Sequence, residues 1–351
     1  MRLLYITNGI TGVGGLERVL SVKASYLADK LDYEVCIISL NEGGKDKFYE
    51  FSPKIFFHSV DTGKNKFEYF FGIRRIVREF NPEVISVCDD GLKGFFVPLW
   101  IGGKAKIIYE RHVSKEMVTQ GKAPGLKQKI SFALMNIGSR LYDKFIVLTS
   151  DNKRQWQSGN VEIIPNPLPF YPDSVSNLAN KRIIAVGKIS VQKGYDRLIN
   201  IWKKLESLHS DWNVDIYGSV SDNCELAKII ECTSINIKKP VEDIQSEYLS
   251  SSIYVLPSRF EGFGMVLIEA MACGIPCVAF NCPCGPQDII KDGEDGFLVE
   301  NGNINQFVEK LSMLIDDEQL RKKMGDRARH NVRRYDINII ARQWDELFKS
   351  L

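Results

Sequence analysis

The chain has 351 residues, 44% hydrophobic and 26% charged, with a formal net charge of +2, an ordinary balance for soluble domains. Its length exceeds what one hydrophobic core usually serves, so two domains are expected, and the composition excludes a disordered chain, a collagen-like repeat or a coiled coil. A mean hydropathy of -0.15 without a long apolar run excludes transmembrane helices. The opening MRLLYITNGITGVGG meets glycines too soon for a signal-peptide core, which predicts a cytoplasmic protein.

Short apolar runs alternate with amphipathic stretches, the pattern of βαβ units and parallel sheets. Strands are predicted at Leu3–Thr7, Glu34–Leu40, Ile55–Val60, Val84–Cys88, Lys106–Tyr109 and Phe145–Leu148, with helices over Leu16–Leu31 and Leu126–Tyr142. Four prolines within 165–172 forbid a helix and mark a linker. The rhythm then restarts. Strands are predicted at Arg182–Val186, Asn213–Tyr217, Ile235–Ile237, Ile253–Leu256, Pro276–Ala279 and Gly296–Val299. Helices are predicted over Tyr195–Leu208, Val241–Ser250, Met265–Ala272, Ile304–Leu314, Glu318–Tyr335 and Ile337–Leu351. The expected architecture is two doubly wound, Rossmann-like domains of parallel sheet facing a cleft. The first covers 1–168 plus about 337–351, its last helix returning to it, and the second covers 178–336. Such sheets bind ligands beyond the carboxyl ends of their strands.

Eight cysteines, at 36, 88, 224, 232, 273, 277, 282 and 284, form no CxxC pair, and only four histidines are present. Buried or incidental thiols are favoured over a metal centre. The first 168 residues carry a basic excess and the remainder an acidic one, which suggests an anionic surface or substrate near the first half, or an ordinary solvated face.

Three segments carry chemistry. Gly12-Val-Gly-Gly-Leu-Glu-Arg lies between a strand and a helix, where backbone N–H groups approach an anion, although a tight βα turn reads the same way. Val186-Gly-Lys-Ile-Ser-Val-Gln-Lys-Gly places Lys188 and Lys193 around a glycine turn, which suits a diphosphate or two exposed lysines equally. Pro257-Ser-Arg-Phe-Glu-Gly-Phe-Gly-Met-Val-Leu-Ile-Glu sets Glu261 in a glycine-rich turn and Glu269 on the following helix. Between them, Gly262, Gly264 and a helix N-terminus at Met265 could receive a diphosphate. The bland alternatives are a solvated turn residue and a carboxylate satisfied within helix packing.

Glu261 and Glu269 match the EX7E signature of retaining glycosyltransferases with the GT-B fold. Gly14-Gly15-Leu-Glu-Arg, Ile164-Pro-Asn-Pro, Val186-Gly-Lys…Lys193-Gly, the Pro257 segment and Gly296-Phe-Leu-Val together resemble glycosyltransferase family 4 along nearly the whole chain. The resemblance implies that Glu269 holds the ribose hydroxyls and Glu261 faces the donor sugar. Phe263, Gly264, Met265 and Val266 would contact the sugar and phosphates, Lys193 the diphosphate, and Lys239 with its neighbours the base. Gly15 and Gly187 complete the expected donor site. Lys188 stands where the family usually has an arginine, so a point charge replaces a bidentate fork. His112 lies where the family places a histidine close to the reacting sugar, and Asp89, Asp90 and Arg111 are acceptor-site candidates. No cofactor or metal is expected, since lysines and a helix end neutralise the diphosphate. The resemblance implies front-face transfer, with the leaving diphosphate taking the acceptor proton.

The expected function is transfer of a hexose or N-acetylhexosamine, from a UDP-sugar by preference, to a saccharide acceptor. A polyprenyl-diphosphate-linked glycan of bacterial surface polysaccharide synthesis is the expected acceptor, and nucleic acid is not an expected partner. Lys122, Lys127, Lys129, Arg140 and Lys144 around one apolar helix, and Lys64, Lys66, Arg74, Arg75 and Arg78 beside Phe67, Tyr69, Phe70 and Phe71, could rest on an anionic inner leaflet. Equally, their apolar sides could be core. A nucleotide-sugar epimerase and a noncatalytic nucleotide-sugar-binding subunit are the alternatives.

Overall fold

Thirteen strands make two fully parallel sheets in the computed structural model, which describes residues 1–63, 67–119, 123–220, 225–226, 230 and 233–351. Lys64, Lys66, Lys122, Cys224 and Cys232 lie outside the described residues. The chain divides into two units, Met1–Pro169 with Ile337–Leu351, and Phe170–Asp336.

The first unit holds β1 (Arg2–Thr7), β2 (Glu34–Leu40), β3 (Phe56–Val60), β4 (Val84–Cys88), β5 (Lys106–Arg111), β6 (Lys144–Val147) and β7 (Val161–Ile163), in the order β3-β2-β1-β4-β5-β6-β7. Continuous apolar runs such as Leu3–Ile6 fit this sheet because both faces are covered. Leu4 and Ile6 enter a core with Ile73, Ile76, Phe95 and Met135 on one face. Leu3 and Tyr5 join Leu20, Ala24 and Leu27 on the other, and Ile340, Trp344 and Phe348 of the last helix close that core. The Ile337–Ser350 helix therefore belongs to the first unit.

The second unit holds β8 (Arg182–Val186), β9 (Asn213–Tyr217), β10 (Ile235–Lys238), β11 (Ile253–Leu256), β12 (Cys277–Asn281) and β13 (Gly296–Glu300), ordered β10-β9-β8-β11-β12-β13. One face packs Ile183, Leu198, Trp202 and Val214 against Phe307, Leu311 and Met324.

Local chemistry trims several predicted elements. The helix expected over Tyr195–Leu208 ends at Trp202, and the chain goes on through turns in which Lys204 N bonds Ile201 O. Asp243 accepts from Ser246 N at 3.1 Å, so the helix expected from Val241 starts at Ile244. Strand β7 is an addition to the predicted set: three residues give too little alternation to read.

Candidate active site

Each sheet reverses its strand order beside its first strand, between β1 and β4 in one unit and between β8 and β11 in the other. Loops leaving the carboxyl ends of two such strands diverge and leave a crevice. In the second unit Lys193 follows β8 and Glu261 follows β11. Lys193 Nζ lies 2.9 Å from Glu261 Oε1 and 3.2 Å from Oε2, so the pair spans the reversal point. Ser258 Oγ donates to the same Oε1 at 2.6 Å, and Glu261 N bonds Pro283 O. The carboxylate is 5% exposed, so it is fixed by neighbours and not by water.

Two further contacts clamp these loops. Arg259 grips Asp196 through both guanidinium nitrogens at 2.7 and 2.6 Å, and its backbone N bonds Gln192 O at 2.8 Å. Gly194 adopts φ +68°, and a Cβ there would lie 2.0 Å from Pro257 O, so only glycine lets the two loops come this close. Gly187 lies against Lys193, where an added Cβ would stand 3.0 Å from Cε, and Tyr195 OH donates to Gly187 O at 3.0 Å. Burial and the Glu261 charge push the Cys282 thiol well above its ordinary range, which keeps it protonated.

Gly264, at φ +99°, opens the Met265–Ala272 helix. The first N–H groups of a helix have no intrahelical partner and favour an anion. Glu269 lies on this helix, 5% exposed, and accepts from Tyr248 OH at 3.1 Å. Burial and the Glu269 charge together push the Tyr248 hydroxyl well up, so it stays a donor. Gly262 is half-buried, Phe263 is buried, and Met265 and Val266 are half-buried on the first turn. Lys188 is exposed and makes no side-chain ion pair among the described residues. Lys239 is exposed one residue beyond β10, the edge strand two places from β8.

In the first unit the structure separates the predicted residues by environment. Asp89 is 1% exposed: its Oδ1 accepts from Asn8 Nδ2 at 2.9 Å and Gly91 N at 2.8 Å, and Lys93 lies 3.5 Å from Oδ2. Oδ1 thus joins the β1 and β4 loops, so Asp89 is held as a structural carboxylate. Arg111 is fully buried beside Phe95 and Trp156, and its Nη1 bonds Asp90 through both the carbonyl at 2.8 Å and Oδ1 at 3.3 Å. Its Nε and Nη2 are buried without a hydrogen-bond partner among the described residues, whereas Asp90 is half-exposed.

Glu110 is buried and receives Lys23 Nζ at 2.5 Å, Ser86 Oγ at 2.6 Å and His112 Nε2 at 3.3 Å. Burial opposes its ionisation, but the Lys23 charge and these hydrogen bonds prevail and bring its carboxyl down to about 2. Gly15 starts the first helix, and the Glu17 carboxylate folds back over the glycine loop, where a Cβ at Gly14 would meet its Oε2. Glu42, which carries no motif and so goes unnoticed in the sequence, holds this loop through Ile10 N at 2.8 Å and Thr11 Oγ1 at 2.6 Å. Cys88, Glu110 and His112 bring three possible metal-ligand atoms within 4.8 Å of one another. They fit a metal poorly, because the Lys23 ammonium already sits on the carboxylate and burial keeps the Cys88 thiol protonated.

Residues 13–169 match the family model for Glycosyltransferase Family 4, and residues 172–331 that for Glycosyl transferases group 1. The chain is 32% identical to an uncharacterized glycosyltransferase of Haemophilus influenzae over 97% of each chain. It is 31% identical to the amylovoran biosynthesis glycosyltransferase AmsD of Erwinia amylovora over 99% of each. Staphylococcus aureus TarM, solved as a mutant in complex with fondaparinux, alpha-GlcNAc-glycerol and UDP, matches over 99% of both chains at a TM-score of 0.82 and 16% identity, which assigns the GT-B fold. The chain belongs to glycosyltransferase family 4.

Proposed function

We propose that this glycosyltransferase is a retaining enzyme that moves a hexose or N-acetylhexosamine from a nucleotide diphosphate sugar, UDP-linked by preference, to a saccharide acceptor. The observation that carries this reading is the Lys193–Glu261 pair at the β8–β11 reversal point, with the Met265 helix beginning beside it. Lys193 and the exposed Lys188 would neutralise the departing diphosphate, helped by the helix N-terminus, so neither a metal nor a cofactor is needed. Glu261, held by Ser258, would accept from hydroxyls of the donor sugar, and Glu269 from the ribose. A carboxylate engaged by both a lysine and a serine is poorly placed as a nucleophile, which favours front-face departure and attack. Catalysis then rests on charge stabilisation at the leaving group and on orientation. A thermal-shift screen of UDP-, GDP- and ADP-sugars tests the donor: stabilisation by UDP-sugars is expected, and none by any of the three would overturn the assignment. Sugar joined to an acceptor, rather than epimerised and released, separates transfer from the epimerase alternative.

The same reading places the acceptor on a polyprenyl diphosphate, in bacterial surface polysaccharide synthesis, with the enzyme working at the cytoplasmic face of the inner membrane. AmsD, by its name, serves amylovoran biosynthesis. A specific surface supports it. On the Leu126–Ser139 helix and the residues just after it, Leu126, Ile130, Leu134, Ile137 and Leu141 recur on one side and are 37–76% exposed. The helix has no acidic residue, and Lys127, Lys129 and Arg140 are exposed beside the stripe. Phe67, Phe70 and Phe71 are also exposed, near Arg75 and Arg78. Apolar side chains accompanied by exposed cations suit the headgroup region of an anionic leaflet. Among the described residues no helix is long and apolar enough to cross a membrane, so contact would be peripheral. Liposome binding should rise with anionic lipid and fall with salt, and Ile130→Ser with Ile137→Ser should weaken it. Equal binding to neutral and anionic vesicles would rule this surface out as a membrane contact.

A further inference from the structure

Lys23 is 1% exposed on the first helix, an unusual place for an ammonium group. It lies 2.5 Å from Glu110 Oε2 and 4.0 Å from the centre of the Trp344 ring, which the last helix supplies. A buried ion pair contributes little net stability compared with an apolar pair of similar volume, so packing alone does not account for it. The same Glu110 oxygen that takes Lys23 stands 3.3 Å from His112 Nε2, and Ser86 fixes the other oxygen. An ionised carboxylate only accepts, so the proton of a neutral His112 ring must sit on Nε2. His112 Nδ1 is then a bare acceptor, and it has no partner in a side chain that is 6% exposed.

We propose that Lys23, acting through Glu110, is a positioning residue that holds His112 in the Nε2–H tautomer, so that Nδ1 accepts a hydrogen bond from a hydroxyl of the reacting sugar. The inference deepens the transferase reading above and rests on it for the identity of that hydroxyl. Lys23 occupies the same Glu110 oxygen and offsets its charge, so that the carboxylate stays in place beside the ring. Glu17 on the first helix and Cys88 at the end of β4 also face this ring, while Arg111, its chain neighbour, turns to Asp90. Trp344 covers the far side of Lys23, so the last helix takes part in the arrangement.

Nitrogen-15 NMR of the four histidine rings reads the tautomer directly, with His112 assigned from His112→Gln. The wild-type ring should carry its proton on Nε2. Lys23→Met with Glu110→Met keeps an apolar pair of similar size but removes the acceptor: the ring should lose its single tautomer, and kcat should fall about tenfold or more with donor KM within about twofold. Lys23→Met with Glu110→Gln keeps a carbonyl for Nε2–H and should restore both the tautomer and most of kcat. Thermal melts identify variants that do not fold, and the remaining ones decide. An unchanged tautomer in the double Met variant, or a loss of kcat that the Gln variant does not recover, overturns the proposal. A fully active His112→Ala would likewise overturn it, by removing His112 from the transfer step, and would leave the transferase reading standing.

Discussion

Lys193 and Glu261 face each other at 2.9 Å although 68 positions separate them, because β8 and β11 are neighbours at the point where the second sheet reverses. Without a donor each satisfies the other. A diphosphate arriving at the Met265 helix would compete for the ammonium and release carboxylate oxygens for sugar hydroxyls, so the resting pair keeps both groups in place.

Replacing Lys193 with alanine should therefore lower turnover more than donor affinity, by about ten- to a thousandfold on the scale of a lost oxyanion donor. Initial rates against donor concentration give the answer. A normal kcat with a raised KM would show that Lys193 contributes binding alone.

Glu269→Ala should weaken the nucleotide itself. A hydrogen bond to a charged group contributes about 1.5–3 kcal/mol, so calorimetric Kd for UDP should rise about ten- to a hundredfold. Tyr248→Phe, which removes only the hydroxyl that holds Glu269 at 3.1 Å, should give a smaller change in the same direction. Unchanged UDP affinity in Glu269→Ala would take the ribose role from this residue.

Gly194→Ala tests the clamp between the two loops. The new Cβ meets Pro257 O at 2.0 Å and the backbone is left-handed, so a loss of about 1–3 kcal/mol or more is expected, with lowered donor affinity. Gly44→Ala shares the positive φ but meets nothing within 4 Å, and should cost only about 1–2 kcal/mol. Equal urea midpoints for the two variants would show that the Pro257 contact does not constrain the loop.

Glu110 sets an acid dependence whose sign is fixed. Its folded carboxyl lies at about 2, below the ordinary value of 4.5, so the unfolded chain binds the extra proton between those limits. The stability it confers is complete above about pH 4.5 and is lost as pH falls toward 2. Urea unfolding of the wild type and of Lys23→Met with Glu110→Gln should therefore converge, or change order, as pH falls through that window. A difference that stays constant there would contradict the pairing.

Much of the fold was legible because both sheets are buried on two faces, so runs such as Val84–Cys88 and Ile253–Leu256 stand out with little interruption. The proline-rich stretch likewise marked where one unit gives way to the next along the chain. What the residues alone left open was the order of the strands, and with it the meeting of Lys193 and Glu261. The family words pointed to both residues, but not to their meeting. They did not reveal Ser258, Tyr248 or the Arg259–Asp196 clamp, which are ordinary residue types whose importance comes from distances. Asp89 illustrates the converse: a carboxylate at a strand end looks exposed in sequence, yet Asn8 and the Gly91 amide close on it. Lys23 carried no signal at all, since a lysine in an amphipathic helix is normally solvated.

Transfer from a nucleotide sugar with retention at the anomeric carbon is tested most directly by following the first sugar released from α-linked UDP-N-acetylglucosamine or UDP-glucose. Proton NMR reads its anomeric configuration, with water as the slow acceptor. The α-anomer should appear first and mutarotate afterwards, and Lys193→Ala should slow this release about ten- to a thousandfold. First appearance of the β-anomer, or release undiminished by Lys193→Ala, would contradict retention assisted by that lysine.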